Sequence, residues 1–78
     1  MANIAKRYNR ALGIAEFIAE GHGIEETKEE FGVSKDIISR DLTFLAGQGY
    51  GKELERNQKL YKKAKLQLKS RKKPVVTN

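Results

Sequence analysis

The sequence has no cysteine and only one histidine, one proline and one methionine. Because cysteine is absent, neither a disulfide framework nor a thiolate metal site can form. His22 has no carboxylates at ligand spacing, so we expect no metal, no cofactor and a plain surface histidine in a glycine loop. No apolar run approaches the roughly 20 residues that span a bilayer, and the start lacks the apolar core of a signal peptide. These absences predict a cytoplasmic protein without a membrane partner.

The chain is also short for an enzyme. Its 78 residues make one domain at most and can bury only a small core. They offer no paired carboxylates suited to a pocket, no nucleophile beside a base and no phosphate-binding glycine loop. A helical body of this size rarely encloses a pocket of roughly a few hundred cubic ångströms. We therefore expect a protein that is not an enzyme.

Acidic residues are absent from Arg56 onward. Residues 1–51 contain six Lys/Arg and eight Asp/Glu, a net charge of −2. Residues 52–78 contain ten Lys/Arg and two Asp/Glu, a net charge of +8. This asymmetry favours a nucleic-acid or acidic-surface partner that is contacted mainly by the C-terminal part of the chain. The alternative interpretation is a tail that only improves solubility.

Apolar residues recur at helical spacing in four segments, approximately residues 3–20, 24–31, 35–45 and 52–73. Glycines separate the segments, in EGHG, at Gly32 and in GQGYG. The pattern contains no internal repeat and no convincing strand. It predicts an all-α fold, in which residues 1–51 form a three-helix domain with a helix-turn-helix. Residues 52–78 would form a long basic helix and tail, either in the same compact unit or as an extension.

The turn between the second and third segments has the residues that a helix-turn-helix needs. In FGVS, Gly32 permits a sharp left-handed turn, Val33 can plug the junction, and Ser34 can cap the next helix. Most helix-turn-helix units have a small residue at the position of Lys28. This lysine must therefore lay its stem along the helix crossing and send its ammonium outward.

The third segment separates into an inward and an outward face. The inward stripe consists of Ile38, Leu42 and Leu45, flanked by Ile37, Asp41 and Phe44. The side chains left pointing outward are Lys35, Asp36, Ser39 and Arg40. These residue types suit base edges: arginine can donate two bonds to guanine, aspartate can accept from cytosine, and serine and lysine can bond bases or phosphates.

The stretch EEFGVSKDIISRDL, residues 29–42, resembles the helix-turn-helix of the stage III sporulation protein D family of bacterial transcription regulators. Those proteins carry a similar EFGVSK…DL core after an N-terminal helix, and a basic helical extension follows. The part SKDIISRDLTFL is also similar to the recognition helix of DeoR-type repressors, but there a two-stranded wing should follow. Here a charged, helix-forming segment follows instead, which favours the first family. The likeness covers residues 14–42 in sequence and the remainder only in organisation.

The resemblance implies a nucleoid-associated regulator that binds specific sequences of double-stranded DNA. Its third helix would lie in the major groove, and its basic extension on the adjacent backbone or minor groove. Carried over to this chain, Ser34 would contact a phosphate, and the base-reading positions would be Lys35, Asp36, Ser39 and Arg40. At Ser39 and Arg40 the family tends to have a histidine and a lysine.

The last helix supplies the other predicted phosphate contacts, which are Arg56, Lys59, Lys62, Lys63, Lys65, Lys69, Arg71, Lys72 and Lys73. These nine cations cannot all face one groove. The helix also has a narrow apolar seam, formed by Leu54, Tyr61 and Leu68 with Ala64. That seam can dock the helix on the body of the protein or on a second copy in a homodimer.

A second function class therefore stays open. The acidic second helix and the apolar seam would then dock a protein partner, such as a polymerase-associated or phage factor, and the basic tail would tune solubility. A third class is an RNA-binding protein.

Overall fold

The computed structural model describes residues 4–72, with side chains for residues 4–69. It contains four helices: α1 (Ile4–Ala19), α2 (Ile24–Phe31), α3 (Lys35–Ala46) and α4 (Lys52–Lys72). No strand occurs in these residues, and the all-α prediction is confirmed. The helix α2 has the predicted bounds, whereas α1 ends one residue earlier and α3 one residue later than predicted. The predicted outer ends, Asn3 and Lys73, lie outside the described residues.

The core lies where α1 and α3 cross, and α4 covers it. Its fully buried apolar side chains are Ala11, Ile14, Ala15, Ile18, Ile38, Leu42, Leu45 and Ala64. Burying each large aliphatic side chain stabilises the fold by about 1.5–3 kcal/mol. The three α3 residues among them are the predicted inward stripe, which is confirmed.

The turn between α2 and α3 is built as the sequence predicts. Gly32 has φ 63° and ψ 40°, the left-handed conformation, and its N–H donates to the Lys28 carbonyl. The Ser34 hydroxyl oxygen caps α3 by accepting from the Ile37 N–H at 3.3 Å. Lys28 is half-buried, and its ammonium points outward to the Glu25 carboxylate at 3.4 Å. The turn between α2 and α3 therefore tolerates a lysine at this position.

His22 closes the loop between α1 and α2. Its ring stacks on Phe17 with the ring centroids 3.8 Å apart and an interplanar angle of 9°. Its Nδ1 lies 3.0 Å from a carboxylate oxygen of Glu26. The same oxygen accepts from the Gly23 N–H at the start of α2. His22 lies at the surface as expected, with its side chain 40% exposed, but its ring is also part of the packing that joins two helices.

A polar contact holds the start of α4, and the spacing of the apolar residues did not predict this contact. Asn57 is fully buried, and its Nδ2 donates to the Tyr8 hydroxyl and to the Gln48 carbonyl, both at 3.1 Å. The Tyr8 hydroxyl in turn donates to Glu53 at 2.7 Å. Asn57 falls on the same face as the predicted seam, and that face packs against α1 and α3.

We predict that Gly32→Ala lowers the free energy of unfolding by about 1–2 kcal/mol, the cost of a left-handed backbone for a residue with a Cβ. The cost comes from the backbone alone, because an added Cβ at Gly32 meets no atom within 4 Å. Urea denaturation followed by circular dichroism measures it.

Gly47→Ala is the matched control. Gly47 has φ −107°, and a Cβ there meets only the Phe44 carbonyl oxygen, at 3.8 Å. We expect a change within about 0.5 kcal/mol. Equal losses in the two variants would show that the left-handed turn at Gly32 is not the cause.

Candidate nucleic-acid interface

An open groove of about 870 Å³ lies between the start of α2, one side of α3 and the second half of α4. The helix α3 contributes Lys35 and Ser39 to its lining, and α4 contributes Lys62, Lys65 and Lys69. All five side chains are exposed. Two predicted base-reading residues and three predicted phosphate contacts, separated in sequence, thus share one surface. We call this surface the lysine groove.

The lining of the lysine groove is apolar between its cations. Its apolar side chains are Ile24, Ile38, Leu42, Tyr61, Leu66 and Leu68. Leu66 is 66% exposed, a large fraction for a leucine in the middle of a helix. The Lys65 ammonium lies 5.8 Å from the centroid of the Tyr61 ring. One anion, Glu25 at the start of α2, also reaches the groove.

The other two predicted base-reading residues lie on the outermost face of α3. Arg40 Nε lies 3.0 Å from an Asp36 carboxylate oxygen, and these side chains are 70% and 68% exposed. They are four residues apart, so they are neighbours on one helix face. The contact uses only Nε and leaves the two terminal guanidinium nitrogens of Arg40 as donors.

On the opposite flank of α3, two arginines of α1 surround a buried carboxylate. Asp41 is 1% exposed. It accepts from Arg10 Nε at 2.6 Å and Nη2 at 3.2 Å, and from Arg7 Nε at 3.3 Å. The Arg7 guanidinium also lies 4.3 Å from the centre of the Phe44 ring. We call Arg7, Arg10, Asp41 and Phe44 the arginine flank.

The burial of Asp41 corrects the prediction that it only borders the inward stripe. Its position relative to Ile38, Leu42 and Leu45 follows the i, i+3, i+4, i+7 spacing of a helix face that packs inward. That spacing, together with two arginines three residues apart on α1, indicates in the sequence that Asp41 is buried and paired. The hydrogen bond to Asp41 raises the pKa of the Arg10 guanidinium above its usual value, although desolvation opposes the shift. Arg10 therefore stays charged throughout the range in which proteins are handled.

The remaining predicted phosphate contacts are dispersed. Ser34 is exposed, and its capping oxygen keeps its own proton to donate. Arg56 turns toward α1, with Nη2 3.5 Å from the Tyr8 hydroxyl and 3.4 Å from Asn57 Oδ1. Lys59 and Lys63 are exposed but do not line the lysine groove. Lys73 and the side chains of Arg71 and Lys72 lie outside the described residues.

Other kinds of site find no support in the part of the chain that the structure describes. Across residues 4–72, no group of three or more histidine, aspartate or glutamate side chains is arranged to hold a metal ion. Within the same range, no helix combines the length and the apolar character that crossing a membrane requires.

Comparisons with known proteins add no relative. No protein-family model matches the chain, and no curated protein or solved structure matches it. The resemblance to the sporulation-regulator family therefore stays a prediction. The fold by itself defines a small four-helix protein whose third helix is bordered by cations on both sides.

We predict that Arg10→Gln destabilises the protein more than Arg7→Gln. Arg10 gives Asp41 two hydrogen bonds and Arg7 gives it one, and the carboxylate has almost no access to water. Losing bonds to such a group costs about 1–3 kcal/mol, whereas loss of a half-exposed arginine that leaves its anion paired costs about 1 kcal/mol or less. Equilibrium unfolding of both variants gives the comparison, and the reverse order would contradict it.

Proposed function

We propose that this protein is a transcription regulator that binds specific sequences of double-stranded DNA. In this proposal α3 lies in the major groove and α4 follows the phosphate backbone. The observation that carries it is the lysine groove, where Lys35 and Ser39 of α3 face the same space as Lys62, Lys65 and Lys69 of α4. Base reading and phosphate binding require both sets of side chains on one surface.

The exposed face of α3 has dimensions and side chains that suit the major groove of DNA. A helix with its side chains is about 10–12 Å across, and the major groove is about 12 Å wide. Arg40 can donate to guanine, Asp36 can accept from cytosine, and Lys35 and Ser39 can bond bases or phosphates. The capped start of α3 also directs backbone N–H groups and a positive dipole end toward an anion.

The reading helix supplies little affinity by itself. The two cations of α3, Lys35 and Arg40, are matched by Asp36 and the buried Asp41. Affinity would come mainly from α4. Three groove lysines on phosphates would give a slope of about −3 for the logarithm of the binding constant against the logarithm of salt concentration.

We predict that Arg40→Ala weakens binding to the preferred sequence by about 1–3 kcal/mol and relaxes the preference at one base pair. The preferred sequence would first be selected from a random pool of duplex DNA. Competition titrations then compare that sequence with single-base variants.

Lys63→Ala is the control for Arg40→Ala. It also removes one positive charge from an exposed helical position, but outside α3 and the lysine groove. It should leave the ranking of sequences unchanged. An Arg40→Ala variant with the affinity and the sequence preference of the wild type would refute the base-reading role.

We further predict that the Lys62→Gln/Lys65→Gln double variant weakens binding to every duplex and makes the salt slope shallower by about 2. The reason is that both lysines line the groove beside α3. Fluorescence anisotropy with a random and a selected duplex, at several salt concentrations, measures the slope.

The control for that variant is Lys59→Gln/Lys63→Gln, which removes the same charge from the same helix outside the groove. It should change the slope much less. If both double variants changed it equally, net charge alone would govern binding and the groove would have no special role.

Docking of a protein partner is the second candidate function, and one observation favours it. Leu66 is exposed among the apolar side chains of the lysine groove, and such a surface also suits an amphipathic helix. Most of the seam predicted to dock on the body or on a second copy packs within the chain: Ala64 is buried, and Tyr61 and Leu68 pack on the core. Gel shifts with random duplex distinguish the two functions, since absence of retardation at low salt favours a protein partner.

A further inference from the structure

The lysine groove and the arginine flank lie on opposite sides of α3. Successive helical residues are rotated by about 100°, so Lys35, Ser39 and Leu42 point to one side, and Ile37, Asp41 and Phe44 to the other. Asp36 and Arg40 lie between these two sides. The side chains observed in the lysine groove and the arginine flank agree with this division.

The arginines of this flank are held in place but remain accessible. The side chains of Arg7 and Arg10 are 44% and 40% exposed. Arg7 uses only Nε for Asp41, which leaves both of its terminal nitrogens as donors. Its guanidinium lies over Phe44, and Phe44, four residues after Arg40, is the neighbour of Arg40 on the helix surface. Arg7 is thereby brought next to the base-reading face.

A helix in the major groove has a phosphate backbone on each side. If the lysines of α4 contact one strand, the opposite flank of α3 faces the other strand. We propose that Arg7 and Arg10 bind phosphates of that second strand, so that α3 is clamped between cations from α4 and from α1. The inference rests on the proposed DNA-binding function and adds a contact from α1, whose sequence gave no such indication.

Asp41 acts as a positioning residue in this arrangement. An arginine side chain has about 2 kcal/mol of rotamer entropy to lose when it is fixed on a ligand. The buried carboxylate fixes Nε of both arginines before any DNA arrives, so less of that entropy is lost on binding. The carboxylate also cancels one of the two charges, and the flank carries a net charge of +1.

The test uses Arg7→Gln in the full chain, because Arg10 continues to satisfy Asp41 in that variant. Duplex binding should weaken similarly for all sequences, and the salt slope should become shallower by about 0.9. Arg7→Lys, which keeps the charge, should retain the slope. Lys28→Gln is the matched control, since it removes one charge from α2, where the ammonium already lies 3.4 Å from Glu25.

The second measurement maps the contacted phosphates by ethylation interference on the selected duplex. The wild type should show contacts on both strands. Arg7→Gln should lose one contact on one strand and keep that of Arg10, and Lys62→Gln/Lys65→Gln should lose contacts only on the other strand. Contacts of the wild type on a single strand would overturn the inference even if a variant failed to fold. An unchanged salt slope in Arg7→Gln would also overturn the inference. An equal decrease of the slope in Lys28→Gln would do the same.

The two failures are distinguishable. If the wild-type protein did not retain duplex DNA at low salt, the proposed function itself would fail. If it bound DNA with a slope that depends on Lys62 and Lys65 but not on Arg7, only the clamp by α1 would fail.

Discussion

The carboxylate of Asp41 fixes how α3 lies on α1. It is buried beside the apolar stripe of α3, where an unpaired charge would be strongly unfavourable. Two arginines from α1 pair with it, and this contact and the apolar stripe both require the same rotation of α3 about its axis. That rotation leaves Asp36 and Arg40 facing outward and turns Lys35 and Ser39 toward α4. The buried carboxylate and the apolar stripe together thus determine which side chains of α3 face outward.

The position of α4 depends on a second polar contact, which lies near the start of this helix. Asn57 is bonded to α1 through Tyr8 and to the loop after α3 through Gln48. Gln58 adds a bond to the Ala46 carbonyl at 3.3 Å. These directional bonds hold the start of α4, and Ala64 then allows the helix to lie close to the core. Since both helices that border the lysine groove are held in this way, the backbone positions of its lysines are fixed.

Local features predicted the helices well, whereas most long-range polar pairs were not predictable. The burial of Asp41 is the exception, because its spacing from Ile38, Leu42 and Leu45 indicates it. Glycines at 21, 32, 47, 49 and 51 and the cap Ser34 marked the helix ends, because backbone conformation and capping are local properties. The partners of Asp41, Asn57 and His22 come from distant positions or from ring stacking, which periodicity does not encode. Charge counting likewise directed attention to the cations of residues 52–78 and not to the pairing of Arg7 and Arg10 with Asp41, because residues 1–51 have a negative net charge.

The pairing of Arg40 with Asp36 gives the proposed reading surface a built-in selectivity. An exposed pair of this kind contributes only about 0.3–0.5 kcal/mol, so a guanine that accepts two bonds from the arginine can replace it at little cost. The released aspartate would then face a polyanion, which is unfavourable unless a cytosine amino group donates to it. The two residues are about 6 Å apart along the helix axis, close to the rise of two base pairs, about 3.4 Å each. A guanine and a cytosine two base pairs apart would therefore satisfy both side chains, whereas a guanine alone would leave the carboxylate repelled.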